Sequence, residues 1–141
     1  MKLRDIMTRD VEVAHPDDSL QTAASKMRDR DIGFLPVVDD GRLVGVLSDR
    51  DISVRAMAEG VDPRALLSEN LLTSPVVYCY DDQNVKEAAQ LMQENQIRRL
   101  VVLDRDDHMV GVVSLGDLAI NGTPALSGEV LQSVSEPVAA G

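Results

Sequence analysis

Two seven-residue stretches decide the fold, and they read Gly45-Val46-Leu47-Ser48-Asp49-Arg50-Asp51 and Gly111-Val112-Val113-Ser114-Leu115-Gly116-Asp117. Each follows an apolar run and opens a segment with helical spacing, so each marks a strand that turns into a helix. A serine with an acidic residue three positions on is typical of a capping box. The same geometry suits a ligand, because a helix N-terminus binds phosphate and a carboxylate can accept the hydroxyls of a ribose. The two interpretations are compatible, and both stay open.

The motif is doubled because the chain repeats itself. Residues 7–39 align with residues 72–104 at an offset of 65, with 10 identical pairs in 33 positions. An extra residue in the second turn then shifts the offset to 66, which brings the two motifs into register. A duplicated unit of about 60 residues is the economical explanation.

Each repeat is predicted to run strand, helix, strand, strand, helix. Ser19 and Asn84 are good N-cap residues, and the apolar residues after them share one helical face. The hairpins are predicted at Phe34–Val38 with Leu43–Leu47 and at Arg99–Leu103 with Met109–Val113. The opening strands are predicted at Val11–Val13 and Val76–Tyr78. The last helices are predicted to run from Ser48 to Gly60 and from Ser114 to Asn121-Gly122. The fold class is therefore α/β (α+β), with two tandem repeats related by pseudo-twofold symmetry. The predicted division is a first repeat at 1–60, a connector at 61–70, a second repeat at 71–122, and a C-terminal helix and tail at 123–141.

Composition excludes several functions. The 24 acidic against 14 basic residues give a net charge of -10, which disfavours binding to nucleic acid and to anionic membranes. No apolar run is long enough to span a bilayer, and the start does not resemble a signal peptide, so we expect a cytoplasmic protein. Cys79 is the only cysteine and is predicted to be a small buried strand residue. His15 and His108 lack partners at ligand spacing, so we predict no metal site, and no arrangement that would activate a nucleophile stands out.

Two copies of a pattern Ile-x-x-Leu-Pro/Val-Val-hydrophobic-Asp precede the motifs, at residues 32–39 and 97–104. Together with the doubled Gly-x-x-Ser-x-x-Asp, they resemble a pair of CBS domains, the Bateman module, over roughly residues 1–122. The resemblance implies a non-catalytic regulatory module that binds adenosine-type nucleotides in the cleft between the repeats and signals to an unidentified partner protein. AMP is the first expectation, and ADP, ATP, NAD and S-adenosylmethionine share its adenosine. The alternative is a dimerisation or protein-interaction module with vestigial clefts.

The resemblance also implies site residues. The serines would contact phosphate and the aspartates ribose, which assigns Ser48 with Asp51 and Ser114 with Asp117. The adenine would contact Thr8, Val11, Val13, Ile32, Leu35 and Pro36 at one site and Thr73, Val76, Tyr78, Ile97 and Leu100 at the other, with Arg98 and Arg99 directed at phosphate. The chain departs from the family pattern where Val101 replaces the proline and where Asp49 lies beside the first phosphate position.

The helix after Ser48 also predicts a partner. Ile52 and Ala56 share one face, whereas Val54, Met57 and Ala58 lie on another. A helix that is apolar on two sides packs against its own sheet and against something else. A second copy of the chain is the simplest occupant, so we expect a homodimer.

Overall fold

The computed structural model describes residues 1–67, 72 and 76–121 of the 141-residue chain. The described residues form two compact units, which we name after the repeat that supplies most of each. The repeat-one unit contains residues 12–67, 72 and 76, and the repeat-two unit contains residues 1–11 and 77–121. The predicted C-terminal helix and tail at 123–141 and part of the predicted connector lie outside the described residues. The sequence-based division itself stays a prediction.

The repeat-one unit is a helix packed on a hairpin. Its elements are α1 (Leu20–Arg30), β1 (Phe34–Asp39), β2 (Arg42–Ser48) and a π-helix (Asp51–Ala56). β1 and β2 pair antiparallel from Phe34 opposite Ser48, with a bulge after Val37. Alternating strand residues and one face of α1 meet in the core, which includes Ala23, Met27, Leu35, Val37 and Leu47. The predicted helix after Ser48 is therefore present, with wider π-type turns than expected.

The repeat-two unit has the same plan with one more ordered strand. Its elements are a 3-10 helix (Leu3–Asp5), β3 (Tyr78–Tyr80), α2 (Val85–Asn95), β4 (Arg99–Leu103), β5 (Met109–Ser114) and α3 (Leu115–Asn121). β4 lies between β3, which is parallel to it, and β5, which is antiparallel. The core includes Ala88, Met92, Leu100, Val102 and Leu118. Both hairpins and the mixed α/β class are confirmed.

The helix boundaries follow from the predicted caps. The Ser19 hydroxyl accepts a hydrogen bond from the Thr22 backbone N–H at 3.1 Å, and the Asn84 side chain accepts one from the Glu87 N–H at 2.9 Å. These bonds satisfy N–H groups that the first helical turn leaves without a backbone partner. Gly60 adopts a φ of 68°, which a residue without a Cβ reaches at little cost, and it ends the helix that follows Ser48 as predicted.

The two opening strands were predicted about two residues too early. In the second repeat the strand is Tyr78–Tyr80 rather than Val76–Tyr78, and in the first repeat a single parallel bridge joins Ala14 to Val37. Ala14 and Cys79 are equivalent in the repeat, and both are almost fully buried. The close packing of these small side chains sets the register, whereas the valines that suggested the strands are only half-buried.

The residues that lead into each repeat pack on the other repeat. Leu3 and Met7 are buried in the core of the repeat-two unit, and Thr8 pairs with Val112 of β5. Leu72, the counterpart of Met7, lies against Gly45 of β2 in the repeat-one unit. The leading segments are thus exchanged between the repeats.

Cys79 is predicted to be almost unreactive in the native chain. Its side chain is 1% exposed, and burial together with the nearby Glu87 charge raises the pKa of the thiol to about 12 from 9.0. Because the thiolate is the reactive form, this shift alone lowers the labelling rate near neutral pH about a thousandfold. The measurement is the rate of labelling by a disulfide reagent at pH 8, native against urea-unfolded. Equal rates in the two states would contradict the buried placement.

No helix among the described residues combines the length and the hydrophobicity that crossing a membrane requires.

Candidate functional site

Both Gly-x-x-Ser-x-x-Asp motifs form reciprocal caps. In the first, the Asp51 N–H donates to the Ser48 hydroxyl at 3.0 Å and the Ser48 N–H donates to Oδ2 of Asp51 at 2.9 Å. In the second, the corresponding distances between Ser114 and Asp117 are 3.1 Å and 2.8 Å. The structural interpretation of the motif is therefore correct in both repeats. Each cap also fixes the serine and the aspartate side by side at the junction of strand and helix.

The caps leave one oxygen of each carboxylate outside the motif, and the two repeats treat it differently. Oδ1 of Asp51 lies 3.4 Å from Nη1 of Arg55, one turn along the helix. In the second repeat the equivalent residue is Asn121, whose side chain donates to the backbone carbonyl of Asp117 instead. Within the part of the chain that the structure describes, Oδ1 of Asp117 has no hydrogen-bond partner. It can accept hydroxyl groups, as a ribose would require.

The charges beside the two motifs also differ. In the repeat-one unit, the Asp49 N–H donates to the Gly33 carbonyl at 3.0 Å, and a Cβ on Gly33 would lie 2.8 Å from Oδ2 of Asp49. A carboxylate therefore occupies the place where residue 33 would otherwise carry a side chain. In the repeat-two unit the equivalent pair is Leu115 with Arg98, joined by the same backbone bond at 2.8 Å. The first junction carries Asp49 followed by Arg50, both exposed, whereas the second carries the exposed residues Arg98 and Arg99.

The structure brings a different set of predicted residues to the second motif than the sequence suggested. The resemblance grouped Thr8 with Ile32, Leu35 and Pro36, and the structure places Thr8 in the repeat-two unit. There the Thr8 N–H donates to the Val112 carbonyl at 2.9 Å, two residues before Ser114. The predicted residues that share this unit are Thr8, Val11, Tyr78, Ile97, Arg98, Arg99, Leu100, Ser114 and Asp117.

The remaining predicted residues belong to the repeat-one unit. They are Val13, Ile32, Leu35, Pro36, Ser48, Asp51 and Val76, and Thr73 lies outside the described residues. Leu35 and its counterpart Leu100 are fully buried in the cores of their units. Their side chains pack against helices, so we leave both out of the proposed ligand contacts. The exchange that places Thr8 with the second motif left no signal in the sequence that we recognised.

One cluster outside the motifs combines possible metal ligands. Asp104, Asp106 and His108 lie in the turn between β4 and β5, with one ligand atom of each within 4.8 Å of the others. The Asp104 carboxylate accepts the backbone N–H groups of Asp106 and His108 at 3.0 Å and 2.9 Å. These bonds hold an exposed turn and account for the positions of the three residues. The absence of a metal site stays a prediction.

The same turn is tied to the sheet by Arg105. Its guanidinium makes two 2.8 Å hydrogen bonds to the Asp82 carboxylate and lies 4.2 Å above the Tyr80 ring. The hydrogen bond from Arg105 holds the pKa of Asp82 below its ordinary value. Arg105 therefore supports the turn and is not directed at the motif.

The comparisons with known proteins agree with this architecture. The model of the CBS domain family matches residues 3–56 and 68–121. The chain is 40% identical over 119 residues to the CBS domain-containing protein YhcV of Bacillus subtilis, covering 84% of each chain. It is 37% identical over 117 residues to hypoxic response protein 1 of Mycobacterium tuberculosis, covering 82% of this chain and 81% of that protein.

Solved structures of similar chains contain several different ligands. Hypoxic response protein I, with two coordinated zinc ions, superimposes with a TM-score of 0.77 at 36% identity, covering 85% of this chain and 98% of that one. The CBS domain pair of protein MJ0100, in complex with 5-methylthioadenosine and S-adenosyl-L-methionine, superimposes with a TM-score of 0.73 at 28% identity, covering 86% of this chain and 94% of that one. CBSX2 in complex with AMP superimposes with a TM-score of 0.73 at 27% identity, covering 85% of this chain and 94% of that one.

Proposed function

The chain belongs to the CBS domain family, with two tandem copies, and from that premise we propose that it is a regulatory module that binds an adenosine nucleotide at its Ser-x-x-Asp motifs. CBS pairs are generally regulatory and non-catalytic. The observation that carries the proposal is the paired cap, which holds a hydroxyl and a carboxylate next to each other twice in one chain. AMP is the first candidate ligand, and ADP, ATP and NAD present the same adenosine.

The chemistry of the motif fits the two polar parts of such a ligand. The serine hydroxyl accepts a backbone N–H and keeps its own hydrogen, which it can donate to a phosphate oxygen. The aspartate keeps acceptor capacity beyond the cap, and a carboxylate is a strong acceptor for the two hydroxyls of a ribose. Two structurally similar CBS proteins contain adenosine-based ligands, AMP in one and S-adenosyl-L-methionine in the other.

A thermal-shift titration tests the proposal. The whole chain is titrated with AMP, ADP, ATP, NAD and S-adenosylmethionine, with GMP and orthophosphate as controls for the base and for the anion. A ligand at 100 times its dissociation constant stabilises the native state by about 2.7 kcal/mol, which raises the melting temperature measurably. If no adenosine ligand shifts the transition at millimolar concentration, the proposal is wrong. The dimerisation or interaction module, whose serines serve only as caps, would then replace it.

We also propose that two copies of the chain pair through the helices that follow the motifs. Met57 is 73% exposed and Val54 is 49% exposed on the helix after Ser48. Ile120, the repeat counterpart of Val54, is 82% exposed on α3. The same apolar position is thus open in both repeats, which is the pattern expected of a surface that a second copy covers.

The dimer has a direct test. A charge at a buried interface costs several kcal/mol unless it is paired, so Met57→Glu is expected to convert the dimer into a monomer. Light scattering coupled to size exclusion measures the mass, and Glu59→Gln on the exposed end of the same helix is the matched control. A monomeric wild-type chain, or a Met57→Glu variant that stays dimeric, would contradict this pairing surface.

The wider role follows from the same proposal. A ligand shifts a regulatory module only as far as its affinities for two arrangements differ, so binding of AMP would bias which arrangement a partner protein meets. That partner is unidentified, and the cytoplasm stays the predicted compartment. No catalytic step is assigned to the chain.

A further inference from the structure

The two motifs differ in ways that decide which one accepts a phosphate. We propose that the second motif, Ser114 with Asp117, is the phosphate-accepting nucleotide site, and that at the first motif Asp49 repels phosphate while Arg55 competes with ribose for Asp51. This inference rests on the proposed function and assigns its ligand to one repeat. Three contacts carry it, and each compares equivalent positions of the repeat.

The first contact is the carboxylate of Asp49. It lies at the junction that precedes Asp51, in space that only a glycine at position 33 leaves open. No cation among the described residues pairs with it within 4.0 Å. A phosphate that approached Ser48 would meet this negative charge, and like charges at short range repel in proportion to how far water is excluded.

The second contact is the basic pair of the other repeat. Arg98 replaces Gly33 and Arg99 replaces Phe34, and both residues are exposed. The backbone of Arg98 is bonded to Leu115 at the start of α3, so the residue lies at the same junction as Ser114. Arginine binds phosphate through charge-assisted hydrogen bonds, which makes this junction attractive to the group that Asp49 repels.

The third contact concerns the ribose acceptor. Arg55 occupies Oδ1 of Asp51 at 3.4 Å, and the Asp51 side chain is only 13% exposed. A ligand at the first motif would compete with this ion pair for Oδ1. At the second motif Asn121 bonds elsewhere, and Oδ1 of Asp117 is left to the ligand. Phosphate and ribose therefore favour the same repeat for independent reasons.

Calorimetric titration of the whole chain with AMP measures both affinity and stoichiometry. The wild type is expected to bind one AMP per chain. Asp117→Asn keeps an amide oxygen for the Ser114 cap but loses the charged acceptor, so the dissociation constant is expected to rise by about tenfold or more. Equal binding of two AMP per chain, or wild-type affinity in Asp117→Asn, would overturn the assignment while leaving the proposed function intact. Failure of every adenosine ligand to bind the wild type would instead overturn the proposed function itself.

Two further variants test whether the phosphate of the ligand contacts Arg99 or whether a substitution acts by perturbing the fold. Arg99→Ala touches neither cap and is expected to weaken AMP roughly threefold to tenfold while leaving adenosine unchanged, because adenosine carries no phosphate. Arg64→Ala, which removes an exposed arginine that belongs to neither motif, is the matched control. A loss of adenosine affinity equal to the loss for AMP would contradict a phosphate contact.

The reciprocal variant gives the first motif the residues of the second. Asp49→Leu with Arg55→Asn removes the repelling carboxylate and the ion pair between Arg55 and Asp51, and both replacements copy the repeat counterparts Leu115 and Asn121. A second equivalent of AMP is expected to bind. If the stoichiometry stays at one, then Asp49 and Arg55 are not what disfavours AMP at the first motif.

Discussion

Replacing Leu100 by alanine is expected to lower the free energy of unfolding by about 2–5 kcal/mol, because the truncated side chain leaves a cavity in the middle of a core. Leu100 is 0% exposed on the central strand β4, where it packs with Met92, Val113 and Leu118. Chemical denaturation followed by circular dichroism measures the change. The loss is large compared with the stability of an ordinary small domain.

The internal repeat supplies the controls for this experiment. Leu35 is the counterpart of Leu100 and is also 0% exposed, so Leu35→Ala is expected to cost a similar amount in the repeat-one unit. Leu66 is 39% exposed, so Leu66→Ala is expected to cost much less. If Leu100→Ala were no more harmful than Leu66→Ala, the placement of Leu100 in the core would be wrong, and it would return to the proposed ligand contacts.

Gly111→Ala is expected to destabilise the chain by about 1–3 kcal/mol, the usual cost of forcing atoms into a packed core. A Cβ at this position would lie 2.7 Å from the backbone carbonyl oxygen of Thr8 and 2.9 Å from the sulfur of Met7. The backbone of Thr8 cannot yield easily, because it makes two hydrogen bonds to Val112, at 2.9 Å and 3.0 Å. The substitution would therefore loosen the leading segment that the first repeat contributes to the repeat-two unit.

Gly116→Ala is the matched control, and the sign of its effect is opposite. Gly116 lies in α3, where a Cβ would meet only the Ser114 hydroxyl at an ordinary 3.5 Å. Glycine inside a helix costs roughly 0.5–1 kcal/mol relative to alanine, so this replacement is expected to stabilise the chain. Urea denaturation of the two variants measures both changes, and equal stabilities would contradict the close approach of Thr8 to Gly111.

The local elements could be predicted because their signals are local. Ser19 and Asn84 cap their helices through their own side chains, and the apolar spacing after them depends only on helical geometry. The doubled motif could be predicted for the same reason, since Ser48 bonds to Asp51, and Ser114 to Asp117, over three residues. The repeat then made two weak signals into one strong one.

The rest depends on contacts between residues far apart in the sequence. Val11 and Val76 have strong strand propensity, but the register was set by the buried Ala14 and Cys79 against β1 and β4. The pairing of Thr8 with Val112 joins residues about a hundred positions apart, and no spacing rule predicts it. The resemblance grouped Thr8 with Ile32, Leu35 and Pro36 because it treated each repeat as a closed unit, whereas the leading segments are exchanged.

Only part of the charge difference between the motifs could be predicted from the sequence. Asp49 could be seen beside the first motif, but its meaning depends on the space that Gly33 leaves. The ion pair of Arg55 with Asp51 is a helix contact at i,i+4 and could have been predicted from spacing alone. Its consequence for a ribose became apparent only when Asn121 was seen to bond elsewhere.

The most direct test of the central claim is equilibrium dialysis of the wild-type chain against labelled AMP, with unlabelled competitors. We expect saturable binding that excess adenosine nucleotides displace and that GMP does not, because the module is proposed to bind adenosine. A chain that retains no AMP at millimolar concentration, or that exchanges AMP equally well for GMP, would contradict the claim that it is an adenosine-binding regulatory module.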